Sequence, residues 1–276
     1  MTAVLVPALI IAGIGAVCGI VLSIVSVMMA VPVDEKEKAV KDVLPGANCG
    51  ACGYPGCEGY AVAVAKGEAP VNACPPGGDA LRLTLGEIMG VEAGAVTRQA
   101  ALVSCGGCTL NTSEKMNYIG EGACVYANLM YGGQSACSHG CLGFADCVKA
   151  CPYDAIDMIN GLAVVDPDRC TGCTLCVAAC PKELIAMAPA EGIAVVACFS
   201  KDRGSEVRKI CSVGCIGCGL CVKACPEGAI AVNQFLAGID CNKCTGCGLC
   251  VPACPQNTIR MLGGCSQEAG CSGGTG

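Results

Sequence analysis

Thiols are the groups in this chain whose number and spacing could do chemistry. Twenty-nine of the 276 positions are cysteine, and "CIGCGLCVKACP" (215–226) and "CTGCGLCVPACP" (244–255) each place four in twelve residues. With this spacing, three thiolates on a tight loop wrap three corners of an iron-sulfur cubane, and the fourth is carried by the next turn to a neighbouring cubane. The chain has one histidine, His139, and no tryptophan. Imidazole-rich zinc, copper or haem sites therefore have almost no donors. The rival thiolate reading, four-cysteine structural zinc, uses two separated C-x2-C knuckles, which these runs lack.

Four Cys-Pro pairs punctuate the chain: Cys151-Pro152, Cys180-Pro181, Cys225-Pro226 and Cys254-Pro255. Isoleucine follows each proline four residues on, at Ile156, Ile185, Ile230 and Ile259, which predicts a short strand there. In both pairs the final cysteines are 29 residues apart, so the unit is a tandem repeat. The crossed rule assigns Cys170, Cys173 and Cys176 with Cys151 to one cluster. It assigns Cys215, Cys218 and Cys221 with Cys254 to a second, and Cys244, Cys247 and Cys250 with Cys225 to a third. The remaining run, "CSHGCLGFADCVKACP", is stretched, and the same rule gives it Cys137, Cys141, Cys147 and Cys180. Gly172, Gly217 and Gly246 fall where a side chain would crowd the cluster.

Further toward the amino terminus, Cys49, Cys52, Cys57 and Cys74 form another four-thiolate set. Three share a loop, and the last returns after a helix expected from about Glu58 to Lys66. Five 4Fe-4S clusters account for twenty cysteines and leave Cys18, Cys105, Cys108, Cys124, Cys198, Cys211, Cys241, Cys265 and Cys271. A sixth cluster held by Cys105, Cys124, Cys198 and Cys211, or with Cys108 in place of one of them, is one reading of the remainder. Buried thiols are the other.

The elements that must position these groups are small. The fold expected is α+β: an amino-terminal transmembrane helix (1–33), a single-cluster domain (34–78) and a spacer helix with connecting segment (79–130). Then come a first two-cluster module (131–192), a link (193–210), a second module (211–262) and a Gly-rich tail (263–276). No charge precedes Asp34, and the apolar run there exceeds the roughly 20 residues that cross a bilayer. Lys36, Lys38 and Lys41 follow it, which predicts a cytoplasmic placement of everything after. That compartment is reducing and disfavours disulfides. Gly15 and Gly19 form a small-xxx-small pair, and Cys18 between them reads as an apolar filler. In the spacer, Leu81, Leu85 and Ile88 mark one face of a helix stopping at Gly90. The formal net charge of −6 disfavours nucleic acid as a partner.

The order "NCGACGYPGC", "CSHGCLGFADCVKACPYDAI", "VVDPDRCTGC", "CFSKDRGSEVRKICSVGCIGC", "IDCNKCTGC", behind an apolar amino-terminal segment, resembles the B subunits of Rnf complexes. These complexes are membrane-bound ferredoxin:NAD oxidoreductases that translocate sodium ions or protons. The resemblance implies a bacterial or archaeal membrane protein that takes electrons from soluble ferredoxin on the cytoplasmic side. It implies other Rnf subunits as partners, carrying flavins, further clusters and the NAD site. Two modules exceed the shorter, single-module members. The quoted motifs hold no dinucleotide fingerprint, Walker loop or nucleophile–base pair, so the chain is read as a relay without bond-making chemistry of its own. In "SKDRGSEVRK", Lys201, Arg203, Arg208 and Lys209 outweigh Asp202 and Glu206, a local reversal of charge suited to docking an acidic ferredoxin. The alternative is a membrane-tethered polyferredoxin serving a hydrogenase or heterodisulfide reductase system, which would use the same ligands.

Overall fold

The computed structural model describes the backbone of residues 2–28 and 35–262, with side chains over 12–25 and 35–262. The tail with Cys265 and Cys271 lies outside the described residues. Helix α1 (Thr2–Met28) is followed by α2 (Glu35–Val43), α3 (Gly56–Ala65) and α4 (Gly78–Met89). Strand β1 (Gln99–Val103), α5 (Cys124–Leu129), α6 (Asp146–Lys149), β2 (Ile156–Ile159), β3 (Leu162–Val165), α7 (Leu175–Ala179) and β4 (Ile185–Pro189) follow. The chain continues through β5 (Ala194–Val196), α8 (Gly204–Ile210), α9 (Leu220–Ala224), β6 (Ile230–Asn233), β7 (Leu236–Ile239) and β8 (Ile259–Met261). Among the described residues no helix is long and apolar enough to cross a membrane.

Helices α2, α3 and α4 enclose a small core of Val40, Tyr60, Val64, Leu81 and Leu85, with Cys52, Cys57 and Cys74 packed at its edge. The expected helix near 58–66 is α3; it begins two residues earlier, directly after Pro55, a residue suited to a helix start. The expected stop at Gly90 is observed with that glycine left-handed, φ 68°. Leu85 is fully buried at the centre of this core. Leu85→Ala is expected to cost this domain about 2–5 kcal/mol. It would appear as faster amide exchange in α2, α3 and α4, with the strands beyond residue 99 unchanged.

Everything from β1 onward is built on two repeats of one plan. Each predicted isoleucine opens a strand: Ile156 opens β2, Ile185 β4, Ile230 β6 and Ile259 β8. Antiparallel β2–β3 and β6–β7 are hairpins closed by two residues of positive φ, Asn160-Gly161 and Gln234-Phe235, as a tight hairpin requires. In each repeat the last strand pairs with one from the segment before the cysteines: β4 with β1 (Val103 opposite Ile185) and β8 with β5 (Val196 opposite Ile259). The segment read as a spacer therefore supplies the first strand of the first module. All four sheets have two strands, with three to five residues each. Cysteines form part of the core itself: Cys105, Cys108, Cys147, Cys170 and Cys176 are buried in the first module, Cys221 and Cys250 in the second.

Candidate metal centres

The structure brings the amino-terminal set together. Cys49, Cys52, Cys57 and Cys74 line one tight pocket with Pro75, Pro76 and Tyr60. Asn48 fixes the loop: its Oδ1 accepts from the Cys57 N–H at 2.8 Å. Cys151, Cys170, Cys173 and Cys176 line a second tight pocket under Ala101 of β1, whose N–H points at the Cys170 sulfur at 3.4 Å. These two sets are neighbours, since Cys49 acts electrostatically on the Cys173 thiol.

In the second module, Cys215, Cys218, Cys221 and Cys254 line a third pocket. The Ala237 N–H reaches the Cys215 sulfur at 3.5 Å and the Thr258 N–H the Cys254 sulfur at 3.4 Å. Cys250 has Cys244, Cys247 and Cys225 as its neighbours. Backbone N–H groups aimed at sulfur are the contacts that stabilise and tune thiolate-bound clusters.

The stretched repeat brings Cys124 in beside its expected ligands. Cys147 has Cys141, Cys124 and Cys180 as neighbours. Cys124 opens α5 and stands within reach of the Asp146 and Phe144 N–H groups. Cys137 instead faces Cys211. Cys105, Cys137, Cys198 and Cys211 line a cavity of about 210 Å³ between the two modules, together with Cys108 and Cys141. Of the four residues read as a sixth site, the structure thus brings Cys105, Cys198 and Cys211 to one cavity and Cys124 to another place. Cys241 is exposed, and Cys18 is exposed on α1.

Burial pushes the Cys105 and Cys147 thiols up to about 12 and the Cys176 thiol up to about 11. Lone thiolates would be costly at such positions, and a bound metal group must supply the drive to displace their protons. Among the described residues no three His, Cys, Asp or Glu side chains converge on a single-ion site.

The basic stretch surrounds α8. Lys201, Arg203, Arg208 and Lys209 are all exposed, with Lys209 3.3 Å from Glu206 and Lys201 over the Phe199 ring. Ser200 of this stretch and its flanking residues Phe199 and Ile210 line the inter-module cavity.

Known proteins are similar to the chain over these regions. A family model described as a putative Fe-S cluster matches residues 44–76. Models described as 4Fe-4S dicluster domains match 130–181, and 169–229 with 214–258. The chain is 45% identical over 229 residues to the B subunit of the proton-translocating ferredoxin:NAD(+) oxidoreductase complex of Clostridium ljungdahlii, covering 82% of this chain and 81% of that one. It is 41% identical over 244 residues to the B subunit of the Na(+)-translocating complex of Acetobacterium woodii, covering 88% and 73%. The B subunit of the ion-translocating oxidoreductase complex of Methanosarcina acetivorans is 39% identical over 235 residues, covering 85% and 89%.

Proposed function

Because the chain belongs to the family of B subunits of ion-translocating ferredoxin:NAD oxidoreductase (Rnf) complexes, where it is an electron-transfer subunit, we propose that it receives low-potential electrons from reduced ferredoxin and passes them through a row of 4Fe-4S clusters to the other subunits. The observation that carries this reading is the convergence of four-thiol sets in turn along the chain, the first two of them neighbouring each other. Bound cubanes supply one-electron steps with no bond made or broken.

The chain's own residues hold, insulate and tune. Cys49, Cys52, Cys57 and Cys74 hold one cluster. Cys151 with Cys170, Cys173 and Cys176 holds another. Cys254 with Cys215, Cys218 and Cys221, and Cys225 with Cys244, Cys247 and Cys250, hold two more. The first module's remaining thiols hold a fifth. The single-cluster domain comprises 34–78 with α4 added, and the two modules comprise 131–192 and 211–262 with β1 and β5 added. Small buried side chains such as Ala101, Ala155 and Ala237 keep water from the sulfurs.

The amino-terminal helix is the proposed single-pass anchor. Over residues 12–25 it is exposed all round, and the exposed groups include Ile14, Val17, Ile20, Leu22 and Ile24, an apolar surface suited to lipid or a partner helix. Exposed Lys36, Lys38 and Lys41 beyond it support a cytoplasmic placement of the cluster domains.

Lys201, Arg203, Arg208 and Lys209 are the proposed docking surface for an acidic ferredoxin. The test uses the anaerobically purified, iron-loaded chain mixed with reduced ferredoxin, followed by bleaching of its visible absorbance. Rapid bleaching is expected. The double variant Arg203→Glu, Arg208→Glu should slow it about tenfold at low salt, with the difference vanishing at high salt as the charges are screened. A chain that ferredoxin leaves oxidised would refute the relay. Equal rates for parent and variant at low salt would refute the docking surface alone.

A further inference from the structure

The two modules carry matching thiols outside their cluster motifs. "ACSHGCLGFADCVKACP" (136–152) aligns without gaps on "ICSVGCIGCGLCVKACP" (210–226), identically from Cys147 to Pro152 and from Cys221 to Pro226. In this register Cys141 corresponds to Cys215 and Cys137 to Cys211, while Phe144 stands where the second module has the ligand Cys218. The backbone follows the same register. Gly143 and Gly217 have φ of 78° and 65°, and Ala145 and Gly219, which precede α6 and α9, have φ of 64° and 72°. Upstream, Cys105 lies two residues past the end of β1 and Cys198 two residues past the end of β5.

The backbone groups near the two sulfurs repeat the correspondence. The Cys105 sulfur stands within reach of the Cys141 N–H and of the N–H two residues on, Gly107. The Cys198 sulfur has the Cys215 N–H and again the one two residues on, Ser200. Residues 112–114 stitch the two copies together: Thr112 bridges Cys211, Glu114 bridges Ser135, and the Thr112 hydroxyl donates to the Cys211 sulfur at 3.4 Å. All four thiols line the 210 Å³ cavity, larger than the roughly 150 Å³ that accepts a benzene-sized guest. Arg260 reaches this place from β8. Its guanidinium donates to the Cys105 carbonyl at 3.2 Å, and among the described residues no carboxylate pairs with it. A cubane on four thiolates is anionic and would offset that partly buried charge.

We infer that Cys105, Cys137, Cys198 and Cys211 hold a sixth 4Fe-4S cluster shared by the two modules, two ligands from each. Cys124 then takes the position vacated at Phe144 and completes the first module's cluster with Cys141, Cys147 and Cys180. The inference rests on the iron-sulfur reading of the chain but not on which protein donates electrons. It replaces the assignment of Cys137 to the first module and of Cys124 to the sixth site. Lys182 lies between the two sites, acted on by both Cys137 and Cys180, with its ammonium donating to the Ser138 carbonyl at 2.7 Å.

Iron counting on the full chain, purified without oxygen, tests the partition. Six cubanes give about 24 irons per chain. Cys105→Ala, Cys137→Ala and the two combined should all retain about 20, because they break one cluster, whereas Cys105→Ala with Cys124→Ala should fall to about 16. Cys108→Ala should keep the full count. The opposite pattern, with Cys105→Ala and Cys124→Ala together costing only about four irons and Cys105→Ala and Cys137→Ala costing about eight, would overturn the partition. A parent chain at about 20 irons, unaffected by Cys105→Ala or Cys198→Ala, would overturn the shared site while leaving the relay intact. If alanine variants do not fold, serine variants give a second readout. Cys137→Ser and Cys211→Ser should alter the same electron paramagnetic resonance signal of the reduced protein, and Cys124→Ser a different one. One common signal for Cys124→Ser and Cys211→Ser would refute the proposal.

Discussion

Stripping iron from this chain is expected to unfold residues 99–262 as a whole. Each of the four sheets there has two strands of three to five residues, a size that is marginal in water without further support. The helices are equally short: α6 has four residues, α7 and α9 five each. Isolated helices of that length do not persist. Four residues of the first module's buried core, Cys105, Cys147, Cys170 and Cys176, are thiols that would face a metal cluster in the loaded protein. Ligand binding is then folding energy, as it is in other small metal-held domains. Amide exchange in β2, β3, β6 and β7 should accelerate about a thousandfold or more, equivalent to losing about 4 kcal/mol of a typical domain's stability. Strands that remain protected after iron removal would show that the chain holds itself.

Gly246→Ala is expected to be the most damaging single glycine change among the cluster loops. Its φ is +72°, and an added Cβ would stand 2.1 Å from the Gly192 carbonyl oxygen, which is backbone and cannot rotate away. Left-handed strain for an L-residue is about 1–2 kcal/mol, and displacing the Cys244–Cys247 loop adds to it, for a total of about 3 kcal/mol or more. The corresponding Gly172 would meet the Gln99 carbonyl at 2.9 Å, so Gly172→Ala should be milder. Gly248 separates strain from collision: φ is also +72°, but its nearest neighbour is Met261 Sδ at 3.8 Å. Thr174 and Ala145 already occupy comparable left-handed positions before helices, so Gly248→Ala should cost only about 1 kcal/mol. Thermal midpoints and iron content of the three variants should rank Gly248→Ala above Gly172→Ala above Gly246→Ala. Equal midpoints for Gly246→Ala and Gly248→Ala would mean that the loop yields freely.

The cysteine runs and the strand-opening isoleucines were readable because their signals are local. A thiol spacing fixes how a loop can wrap, and a β-branched residue four past a Cys-Pro marks where the chain straightens. The stop of α4 at Gly90 was readable for the same reason. Pairing of β1 with β4 was not, since Gln99 and Pro189 are brought together by tertiary structure and carry no mark of each other. The place of Cys124 had a signal that spacing rules pass over. Measured by its own gaps, the run from Cys137 to Cys151 looks like an enlarged motif; laid on its partner, it is an ordinary motif with phenylalanine at one ligand position. The apolar amino-terminal run was legible as composition, but its role depends on lipid and partner subunits that the chain does not contain.

Exposure differs between the modules, and it gives the relay a vulnerable end. The ligands Cys170, Cys173 and Cys176 are buried, whereas Cys218 and Cys247 are open to solvent. Oxidants reach accessible sulfur first, and each sulfur oxidised is a ligand lost. Corrosion in air should therefore begin in the second module and advance toward the first.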